Sequence, residues 1–264
     1  MGERLAITGV TLIDGRGGDP LERAVVVVED ATIVAAGAES GVPVDREAQV
    51  LDAAGATLMP GIIDAHCHAG PGDGFTGPRD TSAPLDRYLQ RCEEAGIGRS
   101  NLLAAFHSDY AVANHEVGRI VASRPDRFFG FAFVHADRDR GRIFPMVREA
   151  VAGWGACGIK AHRHDAHISR EVCDAARRLR LPVLYDPMGE VTTAELLAGE
   201  YPDVDFVIPH LGSFADDWNA QLTFCGLLAA WPNLFADTSG VRRFDLLEQA
   251  VRRAGPHKVL FGSD

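Results

Sequence analysis

Two patterns of apolar and polar residues divide the chain near position 58. Before it, short runs rich in β-branched residues (LAITG, VTLID, AVVVVED, ATIVAAG and AQVLD) are separated by turn residues, among them Gly15, Gly17, Gly18 and Gly41. Such runs between turns predict a small antiparallel β unit over 1–58. From Pro60 onward, short apolar runs alternate with amphipathic stretches, the order expected where parallel strands are joined by helices. Eight apolar runs can be counted: GIIDAH (61–66), SNLLAAF (100–106), RFFGFAFV (127–134), CGIKAH (157–162), LPVLYD (181–186), DFVIPH (205–210), NLFADT (233–238) and KVLFGSD (258–264). Helix-like segments lie between them, for example His115–Ser123, Arg170–Leu179 and Leu246–Ala254, with Pro125, Pro182 and Pro232 close after helix ends. Eight strands with seven intervening helices fit a closed (β/α)8 barrel over 59–264 better than an open sheet. The pattern supplies no eighth helix after Asp264, which would leave the outer faces of Val259 and Phe261 uncovered. On that ground the barrel reads as C-terminally truncated: a fragment of a longer reading frame, or a chain that covers the seam as a homo-oligomer.

Polar residues concentrate where these runs end: His66 and His68, His107, His135, His162 and His164, His210, Asp237 and Asp264. Seven of the ten histidines are in that set. A single histidine at a strand end is ordinary as a loop cap or a hydrogen-bonded core residue. A barrel enzyme, however, assembles its site from the C-terminal ends of its strands, and the joint placement points there. His66 and His68 stand two apart on a strand, so both side chains point to one face and can meet a single cation, while Cys67 points the other way.

Composition narrows the chemistry. A formal charge of −11 argues against a nucleic-acid or anionic-membrane surface and leaves a small-molecule substrate. Five scattered cysteines without a Cys-x-x-Cys pair suggest neither a disulfide framework nor a thiolate zinc site, and a reducing cytoplasm fits. Neither a leader nor an apolar run long enough for a membrane span is evident. Lys160 is one of only two lysines in an arginine-rich chain, so an amine, charged or neutral, is required there rather than a guanidinium. Arg79 and Arg163 are candidates for a substrate carboxylate, with a solvated surface as the plainer reading. The HRHDAH run (162–167) reads as a capped loop or a source of extra ligands.

The stretch VLDAAGATLMPGIIDAHCH (50–68) resembles the entry of the amidohydrolase superfamily into its barrel, and the preceding β segment resembles that family's N-terminal half-sandwich. RPDRFFGFAFVHAD (124–137), GIKAH (158–162), FVIPHLG (206–212), NLFADTSG (233–240) and VLFGSD (259–264) resemble the amidohydrolase-related branch, which includes decarboxylases and lactonases. The resemblance implies a metal-dependent hydrolase of amide, cyclic amide or ester bonds, holding one or two divalent ions, zinc first by ligand type. It implies His66 and His68 as ligands and Asp264 as the carboxylate that holds the metal or its water and moves a proton. His210 becomes the second catalytic histidine, ligating a metal or polarising the substrate carbonyl. Lys160 becomes either a carbamylated bridge between two metals, as in binuclear relatives, or a buried charge partner, as in members that bind one. The chain departs from the family at Asp186, where a histidine is expected. Either Asp186 replaces that ligand, or His162 does, or metal binding is weakened or lost. A decarboxylase or lyase, a metal-independent lactonase and a non-catalytic barrel are the alternatives this leaves open.

Overall fold

A computed structural model describes residues 4–16, 18–74, 76–79, 84–214 and 217–264, which form two compact units, 1–60 and 61–264. In the first, β1 (Arg4–Leu12) pairs antiparallel with β2 (Leu21–Glu29), which pairs antiparallel with β3 (Thr32–Ala38). LAITG and VTLID thus belong to one strand. Gly9, at φ 74°, absorbs a register shift between Thr8 and Val10. The unit is mixed rather than purely antiparallel, because β4 (Gln49–Asp52) and β5 (Thr57–Leu58) run parallel to β1. The connection 39–48 carries the chain to the free edge of β1, and the turn closed by Ala56 N–H on Ala53 O (3.0 Å) lets β5 continue in the direction of β4. A small core of Ala6, Val25 and Val27 fills it.

The second unit alternates strands and helices: β6 (Ile62–Ala69), α1 (Leu85–Glu94), β7 (Ile97–Ala104), α2 (Tyr110–Ser123), β8 (Phe128–Gly130), β9 (Ala132–Phe133), α3 (Ile143–Trp154), β10 (Ile159–His162), α4 (Arg170–Leu179), β11 (Val183–Asp186), α5 (Val191–Glu200), β12 (Phe206–Ile208), α6 (Trp218–Ala230), β13 (Leu234–Asp237), α7 (Phe244–Ala254) and β14 (Val259–Leu260). Every pairing is parallel. β8 and β9 act as one strand interrupted at Phe131, β8 pairing with β7 and β9 with β10, and Phe131 N–H still reaches Leu102 O at 3.1 Å. Beyond β14 the chain returns to β6: Ala65 N–H donates to Phe261 O (2.8 Å), while Ser263 and Asp264 N–H share His66 O (3.2 and 2.7 Å). These bonds close eight strand positions into a (β/α)8 barrel. Buried Asp64 clasps the same seam, accepting from Ser263 N–H (3.0 Å) and Ser263 Oγ–H (2.5 Å).

Period-two alternation divides the strand side chains between two cores. Leu103, Phe131, Leu184 and Val207 fill the barrel interior, while Val183, Tyr185, Phe206 and Leu234 face the helices. α4 shows the helical counterpart: Val172, Cys173, Ala175 and Ala176 are buried, and Arg177 and Arg178 are left outside. Among the described residues no helix is long and apolar enough to cross a membrane.

Candidate active site

The interior packing ends near the C-terminal strand tips, where polar side chains take over. Alternation along β6 puts Asp64, His66 and His68 on the inner face and turns Cys67 outward, its Sγ 3.1 Å from Tyr88 Oη. Lys160 and His162 occupy the same face of β10, and Asp186 ends β11. Together with Phe106, Met188, His210, Ser213, Phe214 and Asp264 they line a cavity of about 280 Å³.

His210 does not end a strand. β12 stops at Ile208, and Pro209–Gly212 make a single tight turn in which His210 and Leu211 have φ of 59° and 53°. Non-glycine residues adopt this left-handed region only when their surroundings compel it. Here Asp237 Oδ1 accepts the His210 N–H (3.1 Å), and the Gln221 side-chain amide donates to the carbonyls of His210 (3.0 Å) and Ser213 (2.8 Å).

Hydrogen bonds outside the cavity decide which ring nitrogen faces it. His66 Nδ1 lies 2.9 Å from buried Asp237 Oδ2, His68 Nδ1 lies 2.7 Å from Ala104 O, and His210 Nδ1 lies 2.8 Å from Ser239 O. Each of these partners only accepts, so each Nδ1 carries a proton; in the tautomer this fixes, His66 and His68 turn an Nε2 lone pair into the cavity, while His210 Nε2 faces Asp186 Oδ2. His162 is wired the other way: its Nδ1 accepts from His164 N–H (3.0 Å), leaving Nε2–H to donate to Asp186 Oδ2 at 3.2 Å. His162 therefore presents a proton, not a lone pair, and in this state does not stand in for the histidine expected at position 186.

His66 Nε2, His68 Nε2 and Asp264 Oδ1 meet as three acceptors, with Lys160 Nζ, 3.5 Å from His66 Nε2, as the neighbouring donor. Asp264 Oδ1 is 3.3 Å from His66 Nε2 and 3.1 Å from His68 Nε2, and one ligand atom from each residue lies within 4.8 Å of the others. Lone pairs that face one another at such distances repel unless a cation stands among them, and two imidazoles with one carboxylate are a borderline-soft donor set suited to zinc or a similar divalent ion. The residues thus fit a metal. Among the described residues this is the one such cluster of three.

Electrostatics separate the histidines further. Burial, reinforced by the nearby Lys160, holds His66 down at about 4, so it stays neutral. Burial also pulls on His210, but the hydrogen bond to Asp186 and the field of Asp237 outweigh it and raise its pKa. His210 Nε2 lies 3.4 Å from Asp186 Oδ2 and 4.0 Å from Asp264 Oδ2. Burial would push the carboxyls of Asp186 and Asp264 up, yet bonds from His162 and His210 to the first, and the close imidazoles of His68, His66 and His210 around the second, hold both below the usual carboxylate range. Lys160, wholly buried with Nζ 3.5 Å from His66 Nε2, is lowered by desolvation against the pull of Asp186, Asp264 and Asp237.

The structure therefore gathers His66, His68, Lys160, Asp186, His210 and Asp264 around one cavity, but it gives Asp186 a different setting from Asp264, as the acceptor of bonds from His162 and His210. His107 and His135 are not among the cavity residues. Each caps its own turn, Nδ1 of His107 accepting from Asp109 N–H (2.9 Å) and Nδ1 of His135 from Arg138 N–H (3.2 Å). Arg163 is held by Glu190 through Nε (3.1 Å), and neither it nor Arg79 lines the cavity. Two supporting groups lay in plain view in the sequence without an assigned role: Asp237, at a strand end, and Asp64, two residues before His66 and hence on its face. Period-two spacing was the signal for Asp64. Ser239, two residues after Asp237, offered none.

Comparison with known proteins agrees with the fold. The sequence profile of the amidohydrolase family matches residues 63–264. The chain is 46% identical over 68 residues to the 5-methylthioadenosine/S-adenosylhomocysteine deaminase of Symbiobacterium thermophilum, a match covering 25% of this chain and 16% of that protein's length. Similar solved structures include a 4-oxalomesaconate hydratase from Rhodopseudomonas palustris, with TM-score 0.58 and 20% identity, covering 77% of this chain and 81% of that one. Another is a dihydroxybenzoic acid decarboxylase from Polaromonas sp. JS666 with bound manganese, at TM-score 0.54 and 16% identity, covering 77% of this chain and 86% of that one. Likeness at these identities is likeness of fold.

Proposed function

The chain belongs to the amidohydrolase family, and from that premise we propose that it is a metal-dependent hydrolase that cleaves an amide, cyclic amide or ester bond in a small molecule. The observation that carries this reading is the convergence of the His66 and His68 Nε2 lone pairs on Asp264 Oδ1. We assign these three as the ligands of one divalent ion, zinc first by donor type, with Lys160 as a buried counter-charge rather than a carbamylated bridge. When bound, such an ion supplies Lewis acidity and lowers the pKa of water toward neutrality.

The remaining chemistry falls to the side chains. Asp264 is held ionised, and with one oxygen turned to the imidazoles its Oδ2 is placed to take the proton of the attacking water. His210, its Nδ1–H engaged by Ser239 O and its pKa raised, donates from Nε2 to the oxygen of the scissile carbonyl as negative charge builds there. Asp186 positions both that ring and His162, and so stabilises the protonated form of His210 instead of ligating the metal. Lys160 offsets the surrounding carboxylates from below the cavity. A cavity of about 280 Å³ suits a small substrate.

One observation favours a second reading, decarboxylation: the cavity that holds Lys160 and His210 is also lined by the rings of Phe106 and Phe214, packed edge-on against His162 and His210, a surrounding that suits a flat unsaturated acid. The test is an activity screen of metal-stripped protein reloaded with zinc or manganese, on amides, cyclic amides and lactones and, in parallel, on unsaturated acids. Metal-dependent hydrolysis supports the proposal. Metal-dependent release of carbon dioxide without hydrolysis of any ester or amide replaces it with the second reading.

A further inference from the structure

Asp237 and Ser239 touch both of the histidines to which the proposed chemistry gives the largest roles. Asp237 is fully buried at the end of β13, and its two carboxylate oxygens have separate duties. Oδ1 accepts three hydrogen bonds, from His210 N–H (3.1 Å), Ser239 N–H (3.0 Å) and Ser239 Oγ–H (2.5 Å). Oδ2 is left to His66 Nδ1 at 2.9 Å. Because the Ser239 hydroxyl spends its proton on Asp237, its lone pairs face the two rings, 3.0 Å from His210 Nδ1 and 3.3 Å from His66 Nδ1. The close approach depends on Gly262, where a Cβ would stand 3.0 Å from His66 Cβ and 3.1 Å from Asp237 Cγ.

We propose that Asp237, with Ser239, is a positioning residue for both rings at once, fixing the Nδ1–H tautomer of His66 and orienting His210 through its backbone and Nδ1–H, so that both turn Nε2 into the cavity. The same carboxylate holds the His210 backbone in its left-handed conformation, so one buried group sets ring state on β6 and backbone geometry in the turn after β12. This inference rests on the metal reading only for its effect on metal affinity. The tautomer assignment stands on the hydrogen bonds alone.

The division of labour makes Asp237→Asn informative. Three donors on Oδ1 demand that the asparagine keep its carbonyl oxygen there, which turns its NH2 toward His66 Nδ1. Two N–H donors cannot face each other, so His66 is driven to the Nε2–H tautomer and loses the lone pair it would give a metal. His210 keeps Ser239 O as its acceptor and does not switch.

The test combines nitrogen-15 NMR of the histidine rings in metal-free protein with zinc affinity by chelator competition. We expect Nδ1–H for His66 in the wild type, Nε2–H in Asp237→Asn, and zinc affinity lowered about 10- to 100-fold, the usual effect of losing a ligand's hydrogen-bond partner. An Nε2–H tautomer in the wild type overturns the proposal without need of the variant, should the variant fail to fold. So does Asp237→Asn protein that binds zinc within about twofold of the wild type. A wild type that shows the Nδ1–H ring yet binds no zinc supports the positioning role and removes the metal reading instead.

Discussion

The two lysines of the chain are buried at opposite ends of the barrel, in surroundings that differ in kind. Lys258, just before β14, donates from Nζ to the carbonyls of Trp231 (2.9 Å) and Pro232 (2.7 Å) and lies 4.4 Å from the centre of the Phe235 ring. Beside it, the Asn233 amide donates to the carbonyls of Tyr201 and Val204, each at 3.0 Å. Donors at this end meet acceptors, as burial requires. Lys160 lies toward the opposite mouth, and its near neighbour is an imidazole nitrogen among carboxylates that face further lone pairs. There the backbone bends into a left-handed turn at His210, and acceptors oppose acceptors. One end lowers the free energy of folding. The other holds groups in an arrangement that folding alone does not favour, which is the expected mark of a site built for a ligand.

The contrast is broken most sharply by removing the opposed acceptors. His66→Ala with His68→Ala should abolish metal retention, measured by plasma emission, and lower turnover roughly a thousandfold or more, since Lewis-acid stabilisation contributes several kcal/mol. Unchanged metal content would refute the ligand assignment. Asp264→Asn should cost about a hundredfold or more in kcat with an unchanged melting temperature, because an amide cannot take the proton of water. Activity within a few-fold of wild type would show that the proton goes elsewhere.

At the other end, Lys258→Met should leave kcat and KM as they are but destabilise by about 1–3 kcal/mol in denaturant titration, as buried carbonyls lose their donor. A loss of activity at temperatures where the variant is folded would mean the two ends are coupled. The smallest effect sharpens the comparison most finely. Lys160→Met should not lower the melting temperature, and should raise it slightly, because burying an amine among imperfect partners costs more than it returns, while activity falls by about tenfold or more. A melt lowered as much as in Lys258→Met would make Lys160 a structural group like its counterpart.

Much of this architecture was legible in the residues. α4 spans Arg170–Leu179 as its pattern predicts, because its buried and exposed residues separate cleanly on a helical period. Elsewhere the boundaries moved for local reasons. α2 begins at Tyr110 rather than His115, capped by Asp109, whose carboxylate accepts Ala111 N–H at 2.9 Å. β7 starts at Ile97 because pairing with β6, Ile62 with Ile97 and Ile63 with Arg99, carries Gly98 and Arg99, polar or featureless in sequence, into the strand. Convergence of His66, His68 and Asp264 follows from strand-end placement, which a barrel translates into proximity. The state of the rings does not. It depends on Asp237, 171 positions from His66, and on carbonyls whose direction no side-chain pattern records. Asp186 is the clearest case: the sequence leaves it as ligand, bystander or defect, and only the bonds from His162 and His210 reveal a carboxylate already engaged by two imidazoles.

Opposed lone pairs at the barrel mouth mark the place of a cation. Anomalous diffraction from crystals soaked in zinc, recorded on both sides of the zinc absorption edge, locates the metal without reference to activity. One strong peak is expected, bounded by His66 Nε2, His68 Nε2 and Asp264, with Asp186 Oδ2 still bonded to His162. No peak among those three residues at saturating zinc, or a peak ligated by Asp186 in their place, would contradict it.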